Sequence, residues 1–216
     1  MVHTAIQQDE QLKVPIGIHV AVSYDMLVTL IASHVQSFQR LASLKVAIAS
    51  ALRETDHVYV SLSHDVQLTD LPTDDRLTII PNEYHRCSQM HHWITLHARL
   101  ACAKDIHVVL LDDDDYFNEG ARVVFNQHLS PTLMVCCGVH ACDPSGCIMH
   151  IDTFRHTIFT YLYKKLDPSY PMADVDLLHK SVHVPSTAVT KKPFDPMDST
   201  WFTVVQHHTK FTERGL

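Results

Sequence analysis

Strand-like and helix-like segments alternate through residues 27–139, and this alternation constrains the fold more than any other feature of the chain. Apolar runs of strand length occur at 27–33, 57–62, 77–80, 106–111 and 133–139. Apolar residues recur at helical spacing in three segments, 40–54, 89–104 and 119–129. Strands separated by helices are typical of a parallel sheet that helices cover on both faces. The pattern therefore predicts an α/β/α sandwich with a mainly parallel central sheet.

The segments outside this stretch show shorter or weaker patterns. We expect a strand-like lead-in at 14–23, helices at 154–165 and 174–180, and a late strand at 201–207. A chain of 216 residues has the size of one domain. We therefore predict a single domain over residues 1–216, of which residues 1–13 form a loose N-terminal segment.

Charge and hydropathy exclude several classes of protein. The net charge is −7 and no run of Lys or Arg exceeds two residues, which argues against a nucleic-acid partner. No segment approaches the roughly 20 apolar residues of a membrane span. The polar N-terminus, with Asp9 and Glu10, does not resemble a signal peptide, so a cytoplasmic location is expected. The sequence contains neither G-x-G-x-x-G nor a P-loop motif, so neither type of phosphate-binding loop is expected.

Six cysteines leave two interpretations open. In a chain without a secretory signal, free thiols are expected. Four of the cysteines lie close together in sequence near His140 and His150, which are the ligand types of a structural zinc site; they are Cys136, Cys137, Cys142 and Cys147. Their spacing is not that of a C-x2-C knuckle, so we favour reduced thiols in the core and loops.

Four consecutive aspartates follow the apolar run at 106–111, and we call them the Asp cluster: Asp112, Asp113, Asp114 and Asp115. Adjacent carboxylates repel one another. A divalent cation such as Mn²⁺ or Mg²⁺ relieves that repulsion and leaves coordination positions for phosphate oxygens. Ligands of open α/β sheets gather at the carboxyl ends of strands, where this cluster lies. The pattern therefore favours a cation site over the alternative, a solvated acidic turn.

Other polar side chains are expected near the same strand ends. Those predicted to contact a nucleotide donor are Ser33, Arg40, Asp65, Arg86 and Gln89. Asp65 has a second interpretation as a turn residue. His207 and His208 follow the late strand, where a neutral imidazole can ligate a metal or contact a phosphate. A surface pair near a chain end is the alternative for these two histidines.

From about residue 27 to residue 208, the order of motifs resembles the GT-A glycosyltransferases, especially family 2 and its small viral relatives. The matching segments are, in chain order, VTLIASHVQSFQRLASLKVAIASAL, VYVSLSHD, HVVLLDDDDYF, MADVDLLHK and WFTVVQHHTKF. In that family these are the first strand, loop and helix, the second strand, the D-x-D motif, the E-D motif and the C-terminal strand. Two positions depart from the pattern: Ser63-His64-Asp65 stands for an acidic pair, and Ala173-Asp174 stands for E-D.

The resemblance implies roles for particular residues. The implied metal ligands are Asp112, Asp114, Asp115, His207 and His208. Asp112 and Asp113 also contact the donor, and Asp174 is the catalytic base with Asp176 in support. Aspartates that complement a helix dipole are the alternative explanation of Asp174 and Asp176.

The function predicted from these features is the metal-dependent transfer of a sugar from a nucleotide-diphosphate sugar to an acceptor hydroxyl. The acceptor is a glycan or glycoconjugate, and the configuration of the sugar is inverted. The cofactor is Mn²⁺ or Mg²⁺. Two alternatives remain open at this stage: a non-catalytic, glycosyltransferase-like binding protein, and a metal-dependent phosphohydrolase.

Overall fold

The computed structural model describes residues 26–82, 89–137, 145–163 and 181–191. The strands are β1 (Met26–Val35), β2 (His57–His64), β3 (Leu77–Pro81), β4 (Ile106–Asp112), β5 (Tyr116–Phe117), β6 (Val135–Cys136), β7 (Cys147–His150), β8 (Val182–His183) and β9 (Val189–Thr190). The helices are α1 (Phe38–Glu54), α2 (Gln89–Arg99), α3 (Ala121–Gln127) and α4 (Ile151–Tyr163). None of these helices is long and apolar enough to cross a membrane.

The described strands form one large sheet and one short ribbon. The large sheet has seven strands in the order β3-β2-β1-β4-β7-β6-β8. Strand β1 pairs in parallel with β2 and β4, β2 with β3, and β6 with β8, whereas β7 runs antiparallel to β4 and β6. Strands β5 and β9 form the ribbon. The predicted mainly parallel sheet is confirmed.

Helices cover both faces of the sheet. Alternate residues of a strand point to opposite faces, and on β1 the two sets enter different cores. Leu27 and Ile31 pack with residues of α1 and α3, whereas Val28 and Leu30 pack with residues of α2 and α4. The described part of the chain is therefore an α/β/α sandwich, as the sequence predicts.

The carboxyl ends of the central parallel strands lie side by side. Ala32 of β1 is in register with Asp112 of β4, and Val35 of β1 with His64 of β2. Helix α1 begins just beyond the same end, because the Ser37 hydroxyl accepts a hydrogen bond from the backbone N–H of Arg40 at 3.2 Å. This arrangement brings the residues that follow β1, β2 and β4 to one side of the sandwich.

Several boundaries differ from the sequence prediction for local reasons. The helix predicted at 89–104 ends at Arg99, and Arg155 of α4 donates to the carbonyls of Leu100, Ala101 and Ala103 beyond that end. The helix predicted at 119–129 begins at Ala121, because Gly120 has a left-handed backbone (φ 79°). The described residues of the strand predicted at 133–139 include β6, while 138–139 lie outside the described ranges, and the helix predicted at 154–165 begins earlier, at Ile151. The elements predicted at 14–23, 174–180 and 201–207 lie outside the described residues.

The expectation of free thiols is wrong for one pair of cysteines. Cys136 and Cys147 form a disulfide because β6 and β7 run antiparallel and place these two residues directly opposite each other. A disulfide sulfur cannot ligate zinc, so the described structure does not favour the zinc interpretation. Cys137 is a buried free thiol, and burial raises its pKa to about 11.

Candidate functional site

The Asp cluster forms the turn between β4 and β5 and divides into two pairs by burial. Asp113 and Asp115 are 2% and 3% exposed, and we call them the inner carboxylates. Asp112 and Asp114 have side chains that are 22% and 30% exposed, and we call them the outer carboxylates. The turn is closed by the backbone N–H of Asp115, which donates to the carbonyl of Asp112 at 3.3 Å. Only the outer pair presents oxygen atoms substantially to solvent.

The inner carboxylates are held by a hydroxyl and a cationic group each. Asp113 accepts a hydrogen bond from Ser33 Oγ at 2.6 Å and forms an ion pair with Arg40 Nη2. Asp115 accepts a hydrogen bond from Ser145 Oγ at 2.5 Å and forms an ion pair with Lys191 Nζ at 2.7 Å. A buried carboxylate without such partners would destabilise the fold strongly.

The outer carboxylates share the same two cationic side chains. Asp114 accepts from Arg40 Nη1 at 2.7 Å. Asp112 accepts from Gln89 Nε2 at 2.7 Å and lies 3.7 Å from Lys191 Nζ. Each cation therefore contacts one inner and one outer carboxylate.

The pKa of the Asp114 carboxyl is raised above its usual range. Burial is the largest cause, and the negative charges of Asp113 and Asp115 add to it, against the lowering effect of Arg40 and Lys191. A positive charge added nearby would therefore favour the ionised form of Asp114.

Lys191 reaches the cluster because of a long-range strand pairing. Strand β9 pairs with β5, so that Thr190 lies opposite Tyr116, directly after the Asp cluster. The carbonyl of Ala188 accepts from the N–H of Asn118 at 2.9 Å and fixes the same segment. Sequence reasoning missed Lys191, which stood out only as half of a Lys-Lys pair.

Ser145 is positioned by the glycine that follows it. Gly146 has φ +84°, and a Cβ atom at this position would lie 2.8 Å from the carbonyl oxygen of Cys137. The N–H of Gly146 donates to the carbonyl of Leu110 at 2.8 Å, which holds the segment against β4. The Ser145 hydroxyl consequently lies within reach of the cluster, where it also accepts from the backbone N–H of Asp112 at 3.0 Å. Nothing in the sequence singled out Ser145.

A row of hydrogen-bonded side chains runs along the neighbouring strand ends, and we call it the histidine row. Ser61 Oγ lies 2.9 Å from His92 Nδ1, and Ser63 Oγ lies 3.3 Å from His92 Nε2. Ser63 Oγ also lies 2.7 Å from His34 Nδ1, and His34 Nε2 lies 3.3 Å from Asp65 Oδ2. The row joins β1, β2 and α2 beside the Asp cluster.

The buried end of the histidine row carries a neutral imidazole. Burial lowers the pKa of His92 to about 4, with smaller lowering contributions from His34 and His91. His92 lies one helical turn after Gln89 on α2, and Gln89 is the residue that donates to Asp112. The histidine row therefore holds α2 in a position from which Gln89, the first residue of that helix, reaches the Asp cluster.

The structure brings together most of the predicted site residues that it describes. Those that meet at the cluster are Ser33, Arg40, Gln89, Asp112, Asp113, Asp114 and Asp115. Asp65 belongs to the histidine row instead, where it pairs with His34. The remaining predicted residues lie outside the described part of the chain; they are Arg86, Asp174, Asp176, His207 and His208.

The donor atoms of the cluster suit a hard cation that keeps ligands of its own. Within the described ranges, no group of three or more His, Cys, Asp or Glu side chains is arranged to hold a metal ion. Mg²⁺ in nucleotide-dependent enzymes is commonly bound by only one or two carboxylates, with water and substrate phosphates completing the shell. Asp112 and Asp114 are the carboxylates of the cluster that are exposed enough to contact such a cation.

Comparison with known proteins identifies the fold and no family. No family model and no curated protein matches the chain. Among solved structures, the chain is similar to a nucleotidyl transferase from Methanothermobacter thermautotroptrophicus. The TM-score is 0.54 at 9% identity, and the match covers 74% of this chain and 88% of the other. A likeness at this identity extends to the α/β/α fold alone.

Proposed function

We propose that this chain is a nucleotide-dependent transferase that holds the phosphates of its donor at the Asp cluster. More specifically, we propose that it moves a sugar from a nucleotide-diphosphate sugar to a hydroxyl of a glycan or glycoconjugate acceptor. The observation that carries the proposal is the interleaving of acidic and cationic side chains at the carboxyl end of β4. Ligands of open α/β sheets bind at such strand ends.

Charge supports a divalent cation, Mn²⁺ or Mg²⁺, at this position. Among the described residues, the four carboxylates and the two cationic side chains that the ion pairs above join to them, Arg40 and Lys191, carry a formal net charge of −2 (2 − 4). Oxygen ligands are those that Mn²⁺ and Mg²⁺ prefer. When bound, such a cation neutralises the charge that develops on a leaving diphosphate.

The chain's own residues divide into three groups in this proposal. Asp112 and Asp114 hold the cation, with His207 and His208 as further ligands from the C-terminal segment. Arg40, Gln89 and Arg86 line the diphosphate, and the buried Ser33 supports the site from behind by donating to Asp113. Asp65 lies farther along the strand ends, where a ribose or base would rest. Asp174 accepts the proton of the acceptor hydroxyl, and Asp176 supports it.

Nucleotidyl transfer is a second candidate, favoured by the fold shared with the archaeal nucleotidyl transferase. In that reaction, a sugar phosphate or another acceptor would attack the α-phosphate of a nucleoside triphosphate and release pyrophosphate. In glycosyl transfer, the anomeric carbon is attacked and a nucleoside diphosphate leaves. Because both reactions require a cation beside the phosphates, the Asp cluster alone does not distinguish them.

Product analysis distinguishes the candidates. The protein is stripped of metal with EDTA, restored with Mn²⁺, and incubated with a panel of nucleotide sugars and glycan acceptors. We expect a nucleoside diphosphate and a mass increase of one sugar on an acceptor, both dependent on Mn²⁺.

A parallel incubation with nucleoside triphosphates and sugar phosphates tests the second candidate. Release of pyrophosphate there, without any sugar transfer, would replace glycosyl transfer by nucleotidyl transfer. Phosphate released from generic esters would indicate a phosphohydrolase. Donor binding without any product would indicate a binding protein.

A further inference from the structure

The histidine row is a continuous chain of hydrogen bonds from the core of the sandwich to its surface. Ser63 Oγ stands between two imidazoles, 2.7 Å from His34 Nδ1 and 3.3 Å from His92 Nε2. The fully buried Ser61 closes the inner end, 2.9 Å from His92 Nδ1. Asp65, whose side chain is 33% exposed, closes the outer end, 3.3 Å from His34 Nε2. Both ring nitrogens of both histidines are therefore bonded within the row.

The carboxylate at the outer end sets the direction of these bonds. An ionised carboxylate only accepts hydrogen bonds, so His34 Nε2 carries a proton and donates it to Asp65. A neutral imidazole carries one ring proton, so His34 Nδ1 is then bare and accepts from the Ser63 hydroxyl. Ser63 has no second proton to donate, so His92 Nε2 donates to Ser63. His92 Nδ1 is left bare and accepts from the Ser61 hydroxyl. With a neutral His34, every bond of the row is donated toward Asp65.

A proton added to His34 reverses the inner bonds. A charged imidazole donates from both nitrogens, so His34 Nδ1 now donates to Ser63. The Ser63 hydroxyl then donates to His92 Nε2, and the ring proton of His92 lies on Nδ1 instead. Ser61 receives that proton because a hydroxyl accepts as well as donates, and the Ser61 backbone offers His92 a further hydrogen bond. All four contacts of the row remain hydrogen bonds, and no heavy atom has to move.

His92 changes its tautomer in this process and not its charge. Burial, with the charges of His34 and His91 adding to it, holds the pKa of His92 at about 4. In total the row takes up one proton from solvent, which stays on His34. His92 exchanges a proton at Nε2 for one at Nδ1 and remains neutral.

The charged groups around His34 come from three elements. Asp65 faces it from the end of β2 and pairs with its ring. His91 and His92 face the row from α2, where each opposes a second positive charge. On the side of β4, the Asp cluster begins opposite Ala32 of β1 and is paired with cations of its own. His34 is therefore the imidazole of the row that has a carboxylate partner for its charged form.

We infer that the histidine row is a pH-sensitive switch in which the charge of His34 selects the tautomer of the buried His92. The switch transmits a change of charge near the surface into the sandwich and leaves α2 in place. Gln89 at the start of α2 consequently keeps its hydrogen bond to Asp112 in both states. The inference does not depend on the proposed reaction, since neither a nucleotide nor a cation takes part in it.

The test is ¹⁵N NMR of the full-length protein labelled at its histidines, recorded from about pH 8 to about pH 5. The signals of the two rings are assigned by their loss in His34→Asn and His92→Asn. At the upper pH, His92 should show a protonated Nε2 and a bare Nδ1. As His34 gains its charge, the His92 Nε2 signal should shift to the position of a bare nitrogen and the Nδ1 signal to that of a protonated one. The midpoint of these shifts should equal the midpoint of the His34 titration.

Ser63→Ala removes the hydroxyl that joins the two rings. His34 should still titrate in this variant, while His92 keeps one tautomer throughout. Thr78→Ala is the matched control, since it removes the hydroxyl that lies 2.9 Å from His57 Nε2 on the same sheet. In the control, the tautomer of His92 should follow His34 as in the wild type.

Asp65→Asn tests the inference if Ser63→Ala does not fold, because the Asp65 side chain is partly exposed and the amide keeps its shape. The midpoint of the His34 titration and that of the His92 tautomer change should shift together, by the same amount. Midpoints that separate in this variant would contradict a direct link between the two rings.

Three further results would overturn the inference. His92 could keep one tautomer in the wild type while His34 titrates, which would show that the rings are not coupled. Both nitrogens of His92 could shift to the protonated position at the His34 midpoint, which would show that His92 takes up charge. His92 could still follow His34 in Ser63→Ala. None of these results bears on the proposed function, which the Mn²⁺-dependent product analysis tests separately.

Discussion

Buried and half-buried carboxylates lie at both ends of the parallel strands, but they are held by different kinds of donor. At the amino ends, Glu54 accepts from Arg53 Nε at 2.8 Å and from the backbone N–H of Arg122 at 3.1 Å. Asp56 accepts from the backbone N–H of Leu27 at 2.9 Å and from the Arg122 guanidinium at 2.8 Å. At the carboxyl ends, the donors described above to the carboxylates of the Asp cluster are all side chains.

The difference in donors corresponds to a difference in charge. Within the described part of the chain, Glu54 and Asp56 meet two arginines, so their formal charges balance, whereas the Asp cluster with Arg40 and Lys191 carries a net −2. Burial tends to raise the pKa of Glu54, but the hydrogen bonds from Arg53 and from backbone N–H groups bring it below its usual value. The pKa of Asp114 is raised instead.

This comparison separates a structural network from a candidate ligand site. Backbone donors are fixed by the fold, so the amino-end acids cannot exchange their bonds to the N–H groups of Leu27 and Arg122 without unfolding. Side-chain donors can rotate, so the carboxyl-end acids can exchange Arg40 or Gln89 for a ligand. The contrast predicts that substitutions in the Asp cluster affect binding and that those of Glu54 and Asp56 affect stability.

Asp114→Asn should have the largest effect on binding. The substitution removes one negative charge from the outer pair and keeps the shape of the side chain. We expect Mn²⁺-dependent binding of a nucleoside diphosphate to be lost, with an unchanged circular dichroism spectrum. A variant that bound the nucleotide as the wild type does, with the same metal dependence, would remove Asp114 from the site.

Asp174→Asn extends the comparison to a segment outside the described residues. If Asp174 is the base, turnover should fall by about 10²-fold or more, as loss of general-base catalysis typically does. Donor and metal affinity should stay near the wild-type values, and Asp176→Asn should be milder. Retained turnover, or a product with the anomeric configuration of the donor, would exclude direct displacement with Asp174 as base.

The histidine row gives a pH test at the carboxyl ends. The pKa of His92 falls from 6.5 to about 4 in the folded chain. Between these pH values the unfolded chain binds a proton that the folded chain excludes. Acidification therefore lowers the free energy of unfolding as the pH falls from 6.5 toward 4, because protons bind the unfolded chain first. Above pH 6.5 this loss is absent.

The full difference in pKa corresponds to about 3 kcal/mol of unfolding free energy. We expect urea unfolding to show this loss on acidification in the wild type and a much smaller loss in His92→Asn. An equal pH dependence of the two proteins would contradict the assignment of a buried neutral imidazole at this position.

Glu54→Gln should have the smallest effect, confined to stability. The amide keeps the shape of the side chain but weakens its bonds to Arg53 and to the backbone N–H of Arg122. A loss of about 1–2 kcal/mol in the free energy of unfolding is expected. Mn²⁺-dependent nucleotide binding should match that of the wild type. Weakened binding would show that the two ends of the sheet are not separate in function.

Sequence patterns predicted the long elements because each carries its own signal. Helix α1 repeats its apolar residues at helical spacing, and strand β4 is an apolar run of strand length that the Asp cluster directly follows. Strands β5, β8 and β9 have two residues each, which is too short for any period. Their pairing is decided by the fold around them.

The features that sequence analysis did not predict, in the candidate site and elsewhere, depend on contacts between residues that are distant in sequence. Lys191 reaches the Asp cluster only because β9 pairs with β5, and the Cys136–Cys147 disulfide requires the register of β6 and β7. The buried role of His92 was hidden among 18 histidines, since nothing in the sequence marks which imidazoles are buried. Long-range pairing and burial are tertiary properties that local patterns do not encode.

The most direct test of the central claim is the thermal stability of the wild type with nucleotide sugars and Mn²⁺, added separately and together. A ligand that binds the folded chain but not the unfolded chain raises the melting temperature of the protein. We expect at least one nucleotide sugar to raise it in the presence of Mn²⁺, and neither component to do so by itself. A shift that does not depend on Mn²⁺, or the absence of any shift across a complete panel, would contradict a cation-dependent nucleotide site at the Asp cluster.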